Sequence, residues 1–201
     1  MASPPAYYPS TDLVIAVAKA VARALKDGNV KYAIVGGTSC LLLGAHRATT
    51  DVDFVVPKGR HSRSTFPSTL STNHTVYLPG PGTPPIDIQI IAPPALFREP
   101  FDESTETIAL VDGTVQVLKP TLILNAKCRA PLGRAGEDKK TPDAQDIKFL
   151  LRWCAENGMR VGTGEVPNAT REFVDAFSAV YGGAELWGRA GYDPEVGGAV
   201  V

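Results

Sequence analysis

The stretch from Tyr32 to Val56 constrains the fold of this chain most. It reads YAIVGGTSCLLLGAHRATTDVDFVV: an apolar run, two glycines, a short apolar segment and a second apolar run that begins with two aspartates. Short apolar runs bounded by turn signals predict β-strands, and glycine permits sharp turns and close approach of the backbone to a ligand. The segment therefore predicts a strand, a glycine turn, a short helix from Thr38, and a strand that opens with Asp51.

The paired aspartates predict a cation site. Side chains alternate faces along a strand that rises about 3.3 Å per residue, so Asp51 and Asp53 share one face with Cα atoms roughly 7 Å apart. Two carboxylates held in this way repel each other unless a cation neutralises them, and hard oxygen ligands suit Mg²⁺ or Mn²⁺. Two such ions, about 3.5–4 Å apart, can activate an attacking oxygen and stabilise a departing one.

The residues before the aspartates predict a phosphate site. Backbone N–H groups at the start of a helix face a bound anion, and the helix dipole favours negative charge there. We expect the phosphates to be held by the turn residues Gly36, Gly37, Thr38 and Ser39. Each half of the pattern also has an ordinary alternative, because a glycine pair is common turn chemistry and Asp-x-Asp can be a solvated strand end.

In this order, the glycines, Arg47 and the aspartates closely resemble the first motif of nucleotidyltransferases of the DNA polymerase beta-like superfamily. The pattern GG-x-x-x-L-x-x-x-x-R-x-T-x-D-x-D is most similar to the AbiEii-like branch, whose members are of the abortive-infection or toxin type. The matching residues are Gly36, Gly37, Leu42 (one place late), Arg47, Thr49 or Thr50, Asp51 and Asp53.

The resemblance implies an enzyme that uses Mg²⁺ or Mn²⁺ and an NTP such as ATP. It would move a nucleoside monophosphate to a hydroxyl acceptor and release pyrophosphate, with Arg47 neutralising phosphate charge. We expect an α/β (α+β) fold, in which a twisted mixed sheet of about five strands is flanked by helices and followed by a C-terminal helical segment.

A third carboxylate lies in the apolar run IDIQII at 86–91. Asp87 would be costly to bury if it were ionised and unpaired, so a function is one reason for its place there. Superfamily members carry a third carboxylate on a later strand, and the resemblance implies that Asp87 helps the metal and acts as general base toward the acceptor. The alternative is an aspartate on an edge strand that faces solvent.

The later stretch LKPTLILNAKCRAPLGRAGEDKKTPDAQDIKFLL resembles the later motifs of the AbiEii-like branch. The matching positions are Lys127, Arg134, Lys140, Asp143 and Asp146. The resemblance implies that Lys127 contacts nucleotide phosphates and that Asp143 or Asp146 supports the site; we assign Asp146. The alternative is that a Lys127–Asp146 bridge only joins two helices.

Periodicity and turn residues predict three parts: a catalytic core at 1–118, a helical segment at 119–181 that closes the cleft, and a flexible glycine-rich tail at 182–201. Predicted strands lie at 31–35, 51–56, 74–78, 86–91, 106–111 and 114–118. Predicted helices cover 11–26, capped by Thr11 or Asp12, the beginning of 57–73, a helix from Pro120, one from near Pro142 to Asn157, and 168–181.

Composition limits the partners. Twenty basic and twenty-one acidic residues give a net charge of −1, so an RNA acceptor such as tRNA would need a local basic strip. The candidates for that strip are Arg60, Arg63, Arg129, Arg134, Lys139 and Lys140. The three cysteines read as reduced thiols of a cytoplasmic protein, and no apolar run is long enough to span a membrane.

Two rival functions remain open at this point. One is a catalytically silent nucleotide-binding or regulatory protein of the same fold. The other is a toxin that modifies tRNA or a protein and has an antitoxin-like partner; it shares the chemistry and differs in the acceptor, which could equally be a small molecule.

Overall fold

The computed structural model describes residues 8–58, 74–81, 83–94, 97–111, 113–129, 137–162 and 164–193. The helix predicted within 57–73 lies almost wholly outside these ranges, as do Arg60, His61, Arg63 and Arg134. The side chains of Lys139 and Lys140 also lie outside what is described. The basic strip for tRNA therefore stays a prediction, since only Arg129 of its six members is described.

The chain divides into two compact units, Met1–Leu118 and Lys119–Val201. The first holds α1 (Thr11–Asp27), β1 (Ala33–Val35), α2 (Gly36–Leu42), β2 (Asp51–Val55), β3 (His74–Tyr77), β4 (Ile86–Ile91), β5 (Thr107–Leu110) and β6 (Val115–Leu118). The second holds α3 (Pro120–Cys128), α4 (Glu137–Glu156), α5 (Arg171–Tyr181) and α6 (Ala184–Arg189). The predicted roles of core and cleft-closing segment stay predictions.

The six strands form one mixed sheet in the order β3-β4-β2-β1-β6-β5. The pairs β2–β4 and β1–β6 are parallel, and the other neighbours are antiparallel. This confirms the predicted α/β class with a mixed sheet flanked by helices, with six described strands instead of about five. The buried side chains Val52, Phe54, Ile86 and Ile88 share one face, so the alternating aspartates of β2 and β4 lie on the other.

Ser10, rather than Thr11 or Asp12, caps α1. Its backbone is extended, and its hydroxyl accepts a hydrogen bond from the Leu13 N–H at 3.3 Å. A serine at this position satisfies an N–H group that the helix leaves without a partner. The helix buries Val14, Val17 and Leu25 and ends at Gly28.

The helix predicted to begin near Pro142 begins earlier, at Glu137, and contains the proline. Proline removes one backbone hydrogen bond from a helix but does not always end it. The predicted apolar stripe is confirmed, because Ile147, Leu150, Leu151 and Cys154 are all buried.

The predicted flexible tail is wrong for its first part. Gly182 and Gly183 have positive φ angles of 70° and 90° and form a turn, after which α6 follows. Trp187 on α6 is 1% exposed, and its ring packs edge-on against Phe173 and Phe177 with centroid distances of 6.2 and 6.1 Å. Burial of this large ring holds the segment, and residues from 194 onward lie outside the description.

Cys40, Cys128 and Cys154 are buried, as predicted for core thiols. Burial raises the pKa of Cys154 to about 12 and raises that of Cys128 further. Such thiols are almost wholly protonated at neutral pH and therefore unreactive. In the part of the chain that is described, no helix combines the length and the apolar character needed to cross a membrane.

Truncation of Trp187 tests the correction to the tail. We expect Trp187→Ala to lower the free energy of unfolding by about 3–5 kcal/mol, because it removes a buried aromatic and leaves a cavity. Urea unfolding followed by far-UV circular dichroism measures the change. Val180→Ala, at a side chain on α5 that is 67% exposed, is the control and should unfold like the wild type. Equal unfolding curves for Trp187→Ala and wild type would show that α6 does not contribute to the core.

Candidate functional site

Three half-buried carboxylates lie on one face of the sheet. Asp51 and Asp53 alternate with buried Val52 and Phe54 along β2. On the parallel neighbour β4, Asp87 lies directly beside Asp51 in the register. Adjacent strands lie about 4.8 Å apart, so the side chains of Asp51 and Asp87 start from neighbouring points on the same face.

The glycine turn packs against this face. Gly36 has φ +67°, and a Cβ placed there would lie 2.3 Å from Asp53 Oδ2. A Cβ on Gly37 would lie 2.7 Å from the guanidinium carbon of Arg47. The carboxylate of Asp53 and the guanidinium of Arg47 therefore both lie against bare backbone, at two consecutive residues. A Cβ at either residue would make one of these groups move.

The two hydroxyl groups after the glycines bond to backbone carbonyl groups, one on β2 and one within the turn. Thr38 Oγ1 donates to the Asp51 carbonyl oxygen at 2.6 Å, and Ser39 Oγ donates to the Gly36 carbonyl oxygen at 2.7 Å. Both side chains are almost fully buried. The short helix begins at Gly36 and not at Thr38 as predicted, because the positive φ of Gly36 already starts the turn. The contacts of these two hydroxyls are with the protein backbone, and their predicted role at the phosphates stays a prediction.

Thr49 rather than Thr50 orients the first aspartate. Thr49 is 4% exposed, and its hydroxyl donates to Asp51 Oδ1 at 2.6 Å. Thr50 is exposed, and its carbonyl oxygen accepts the Asp87 N–H at 3.0 Å. The two threonines therefore fix Asp51 and the strand of Asp87 in different ways, one through a side chain and one through the backbone.

Asp87 is not on an edge strand, because β4 lies between β3 and β2. The edge-strand part of the alternative is therefore wrong, whereas its solvent-facing part agrees with a side chain that is 46% exposed. His74 on β3 contacts it, with 3.3 Å between His74 Nε2 and Asp87 Oδ1. A second polar neighbour is Gln89, which lies beside Asp53 in the register.

Neither His74 nor Gln89 was singled out from the sequence. Gln89 could have been found, since it follows Asp87 by two residues and so shares its face of the strand. His74 could not, because its place beside Asp87 depends on the antiparallel pairing of β3 with β4.

The carboxylate pair fits a divalent cation. Among the described residues, no group of three or more His, Cys, Asp and Glu side chains is placed so that it could hold a metal ion. Mg²⁺, however, commonly takes one or two protein carboxylates and completes its shell with water and substrate phosphates. Asp51 and Asp53, half-buried on one face, meet that requirement. Joint ligation by Asp51, Asp53 and Asp87 stays a prediction.

Lys127 lies in the second unit and joins two helices. Its Nζ is 2.7 Å from Asp146 Oδ2 and 3.1 Å from Asp143 Oδ1, so α3 and α4 are linked by a buried charge cluster. Both aspartates matched from the later motif contact this lysine. The structural bridge is therefore present, and the contact of Lys127 and Asp146 with a nucleotide stays a prediction.

A crystal structure of an antigenic nucleotidyltransferase-like protein from Paracoccidioides brasiliensis is similar over most of its length. The superposition covers 94% of this chain and 99% of the Paracoccidioides chain, with a TM-score of 0.66 and 17% sequence identity. The chain has a nucleotidyltransferase-like fold. That fold is the one predicted from the first motif, and at this identity the likeness extends to the fold alone.

A second structure, the solution structure of the antibiotic-resistance factor ANT(2'')-Ia, covers 85% of this chain and 94% of its own at 16% identity. Its TM-score of 0.43 is too low to establish a shared fold. No protein-family model matches the sequence, and a comparison with curated proteins gives no match either. The AbiEii-like branch is not distinguished by these likenesses.

The two glycines should respond differently to alanine. Gly36→Ala should lower the free energy of unfolding by roughly 1–2 kcal/mol from its left-handed conformation alone, and it also displaces Asp53. Gly37→Ala meets only the flexible tip of Arg47, so stability should hold while Arg47 moves. Urea unfolding measures both variants. An equal loss of stability in the two would contradict the packing of Asp53 against Gly36.

Removal of Lys127 should leave two carboxylates in a buried place. We expect Lys127→Met to destabilise the protein by about 3–5 kcal/mol, because breaking a buried charge cluster leaves uncompensated charge. Arg152→Met, at an exposed position on α4, the helix that carries Asp143 and Asp146, is the control and should unfold like the wild type. Chemical denaturation followed by circular dichroism measures the free energy of unfolding of both variants. If Lys127→Met is as stable as Arg152→Met, the bridge does not stabilise the fold.

Proposed function

We propose that the chain is a metal-dependent nucleotidyltransferase of the AbiEii-like type, which transfers a nucleoside monophosphate from an NTP to a hydroxyl acceptor. One observation carries the proposal. Asp53 lies against Gly36 and Arg47 against Gly37, so a carboxylate suited to a cation and a guanidinium suited to phosphate lie at two consecutive turn residues.

The glycine turn and Arg47 would hold the phosphates. Backbone N–H groups of Gly36 and Gly37 can approach an anion closely because no Cβ intervenes. The Arg47 guanidinium presents several N–H donors that match phosphate oxygens. In phosphoryl transfer, such preorganised charge supplies most of the catalysis. Thr38 and Ser39 would support this turn from beneath through their bonds to the backbone.

Asp51 and Asp53 would hold Mg²⁺ or Mn²⁺. A bound divalent ion polarises phosphoryl oxygens and stabilises the charge on the leaving oxygen. Thr49 would keep the Asp51 carboxylate in place, since its hydroxyl donates to Asp51 Oδ1. Asp53 would be positioned by its packing against Gly36.

Asp87 would act on the acceptor. Its carboxylate accepts the proton of the acceptor hydroxyl as the acceptor oxygen forms a bond to the α-phosphorus. The bond between the α-phosphorus and the oxygen that bridges to the β-phosphorus breaks, and pyrophosphate leaves with that electron pair. A half-exposed place on the same face as Asp51 suits this role.

The acceptor classes that we propose are tRNA, a protein or a small molecule, and ATP is the first donor to test. Buried cysteines that are kept as thiols are usual in a reducing compartment, which supports a cytoplasmic location. A toxin role with an antitoxin-like partner belongs to the same proposal and differs only in acceptor and partner.

A catalytically silent nucleotide-binding protein is the second candidate. It is favoured by the finding that, within the described ranges, no group of three metal-binding side chains is formed. Such a protein would bind an NTP with Mg²⁺ and release no pyrophosphate.

Label transfer separates the two candidates. Each α-³²P-labelled NTP is incubated with Mg²⁺ or Mn²⁺ and with total RNA, lysate proteins or a small-molecule fraction. We expect label on one acceptor class, and a loss of at least about 100-fold in Asp53→Asn, because electrostatic groups in such sites contribute that much.

Asp27→Ala, which removes an exposed carboxylate at the end of α1, is the control and should transfer label normally. NTP binding without transfer to any acceptor would favour the silent protein. Transfer that persists in Asp53→Asn would disprove the assigned site.

A further inference from the structure

We propose that His74 is a positioning residue, which holds the carboxylate of Asp87 toward the outer strand β3 and so reserves it for the acceptor hydroxyl. The inference rests on the proposed function and adds a residue to it. His74 Nε2 lies 3.3 Å from Asp87 Oδ1, and both side chains are about half exposed, at 47% and 46%. The pair is therefore open to an acceptor that approaches from solvent.

The sheet register explains how the pair forms. Val76 of β3 lies opposite Asp87, and His74 lies two residues before Val76 on the same face. His74 is thus the diagonal neighbour of Asp87, a separation that a long side chain can span. The two strands that flank β4 carry different polar side chains near Asp87: β2 carries the carboxylate of Asp51, and β3 carries the imidazole of His74.

The two carboxylates have different partners. Asp51 Oδ1 accepts the Thr49 hydroxyl on one side, while Asp87 Oδ1 is held by His74 on the other. This division gives Asp51 a threonine and Asp87 a histidine as its neighbour. It assigns the cation to Asp51 and Asp53 and leaves Asp87 to the acceptor.

A kinetic test compares two substitutions of His74. Gln places an N–H donor at a similar reach, whereas Leu has a similar size and no donor. With the donor and acceptor pool that the wild type uses, we expect His74→Leu to lower kcat roughly 10- to 100-fold, as for other residues that orient a reactive group. The KM for the NTP should stay within about threefold, and His74→Gln should recover most of kcat. Thr75→Val, on the opposite face of β3, is the matched control.

A double-variant cycle adds a second criterion. If His74 acts through Asp87, then His74→Leu should cause little further loss in the Asp87→Asn background, since residues that act as a unit are non-additive. If the fold-losses of kcat in the two single variants multiply in the double variant, His74 acts independently of Asp87 and the proposal is overturned. A normal kcat in His74→Leu would overturn it as well.

Metal binding gives a readout that needs no turnover. Mn²⁺ alone is titrated into the protein and free Mn²⁺ is followed by electron paramagnetic resonance. We expect Asp87→Asn and His74→Leu to bind Mn²⁺ like the wild type and Asp53→Asn to bind it more weakly. Weaker binding in Asp87→Asn would make Asp87 a metal ligand and overturn the division of roles. A wild type that transfers no label at all would reject the proposed function itself, whereas a transferring wild type with an unaffected His74→Leu would reject only the role of His74.

Discussion

The close packing of Asp53 against the backbone of Gly36 is the contact on which the site depends. A carboxylate oxygen occupies the space where any other residue would place its Cβ, 2.3 Å from that position. A Cβ on this turn residue would therefore displace the Asp53 carboxylate, and the positive φ of Gly36 also favours glycine there. The same approach brings Arg47 over Gly37. The short distance between acid, base and bare backbone is thus a steric consequence of two glycines.

Polar contacts beneath the turn keep this arrangement rigid. The hydroxyl groups of Thr38, Ser39 and Thr49 bind the backbone of the turn or the backbone and carboxylate of Asp51. All three side chains are buried, where an unsatisfied hydroxyl would be costly. Their bonds fix the first aspartate before any ligand arrives. Such preorganisation is what electrostatic catalysis requires, because the charged groups need not rearrange during the reaction.

Much of the first unit could be predicted from the sequence, because local patterns determine it. The apolar run at 86–91 became a strand with the predicted bounds, with Ile86 and Ile88 buried and Asp87 on the other face. The helix boundaries were less well predicted. Pro142 suggested a helix start but lies inside α4, and Gly182 and Gly183 suggested a flexible tail but precede a helix anchored by Trp187. In both places long-range packing outweighed the local sequence signal. Such packing cannot be inferred from one segment of the sequence alone.

The sequence by itself determined the motif, the placing of Asp51 and Asp53 on one face of a strand, and the glycine turn before them. These follow from the period of a β-strand and from the missing Cβ of glycine, both of which are local properties. The tertiary structure alone decided that Asp87 lies beside Asp51, that His74 contacts Asp87, and that Lys127 lies between Asp143 and Asp146. Those contacts join residues from different elements, and their formation depends on strand order, register and helix packing, which the global burial of apolar side chains selects.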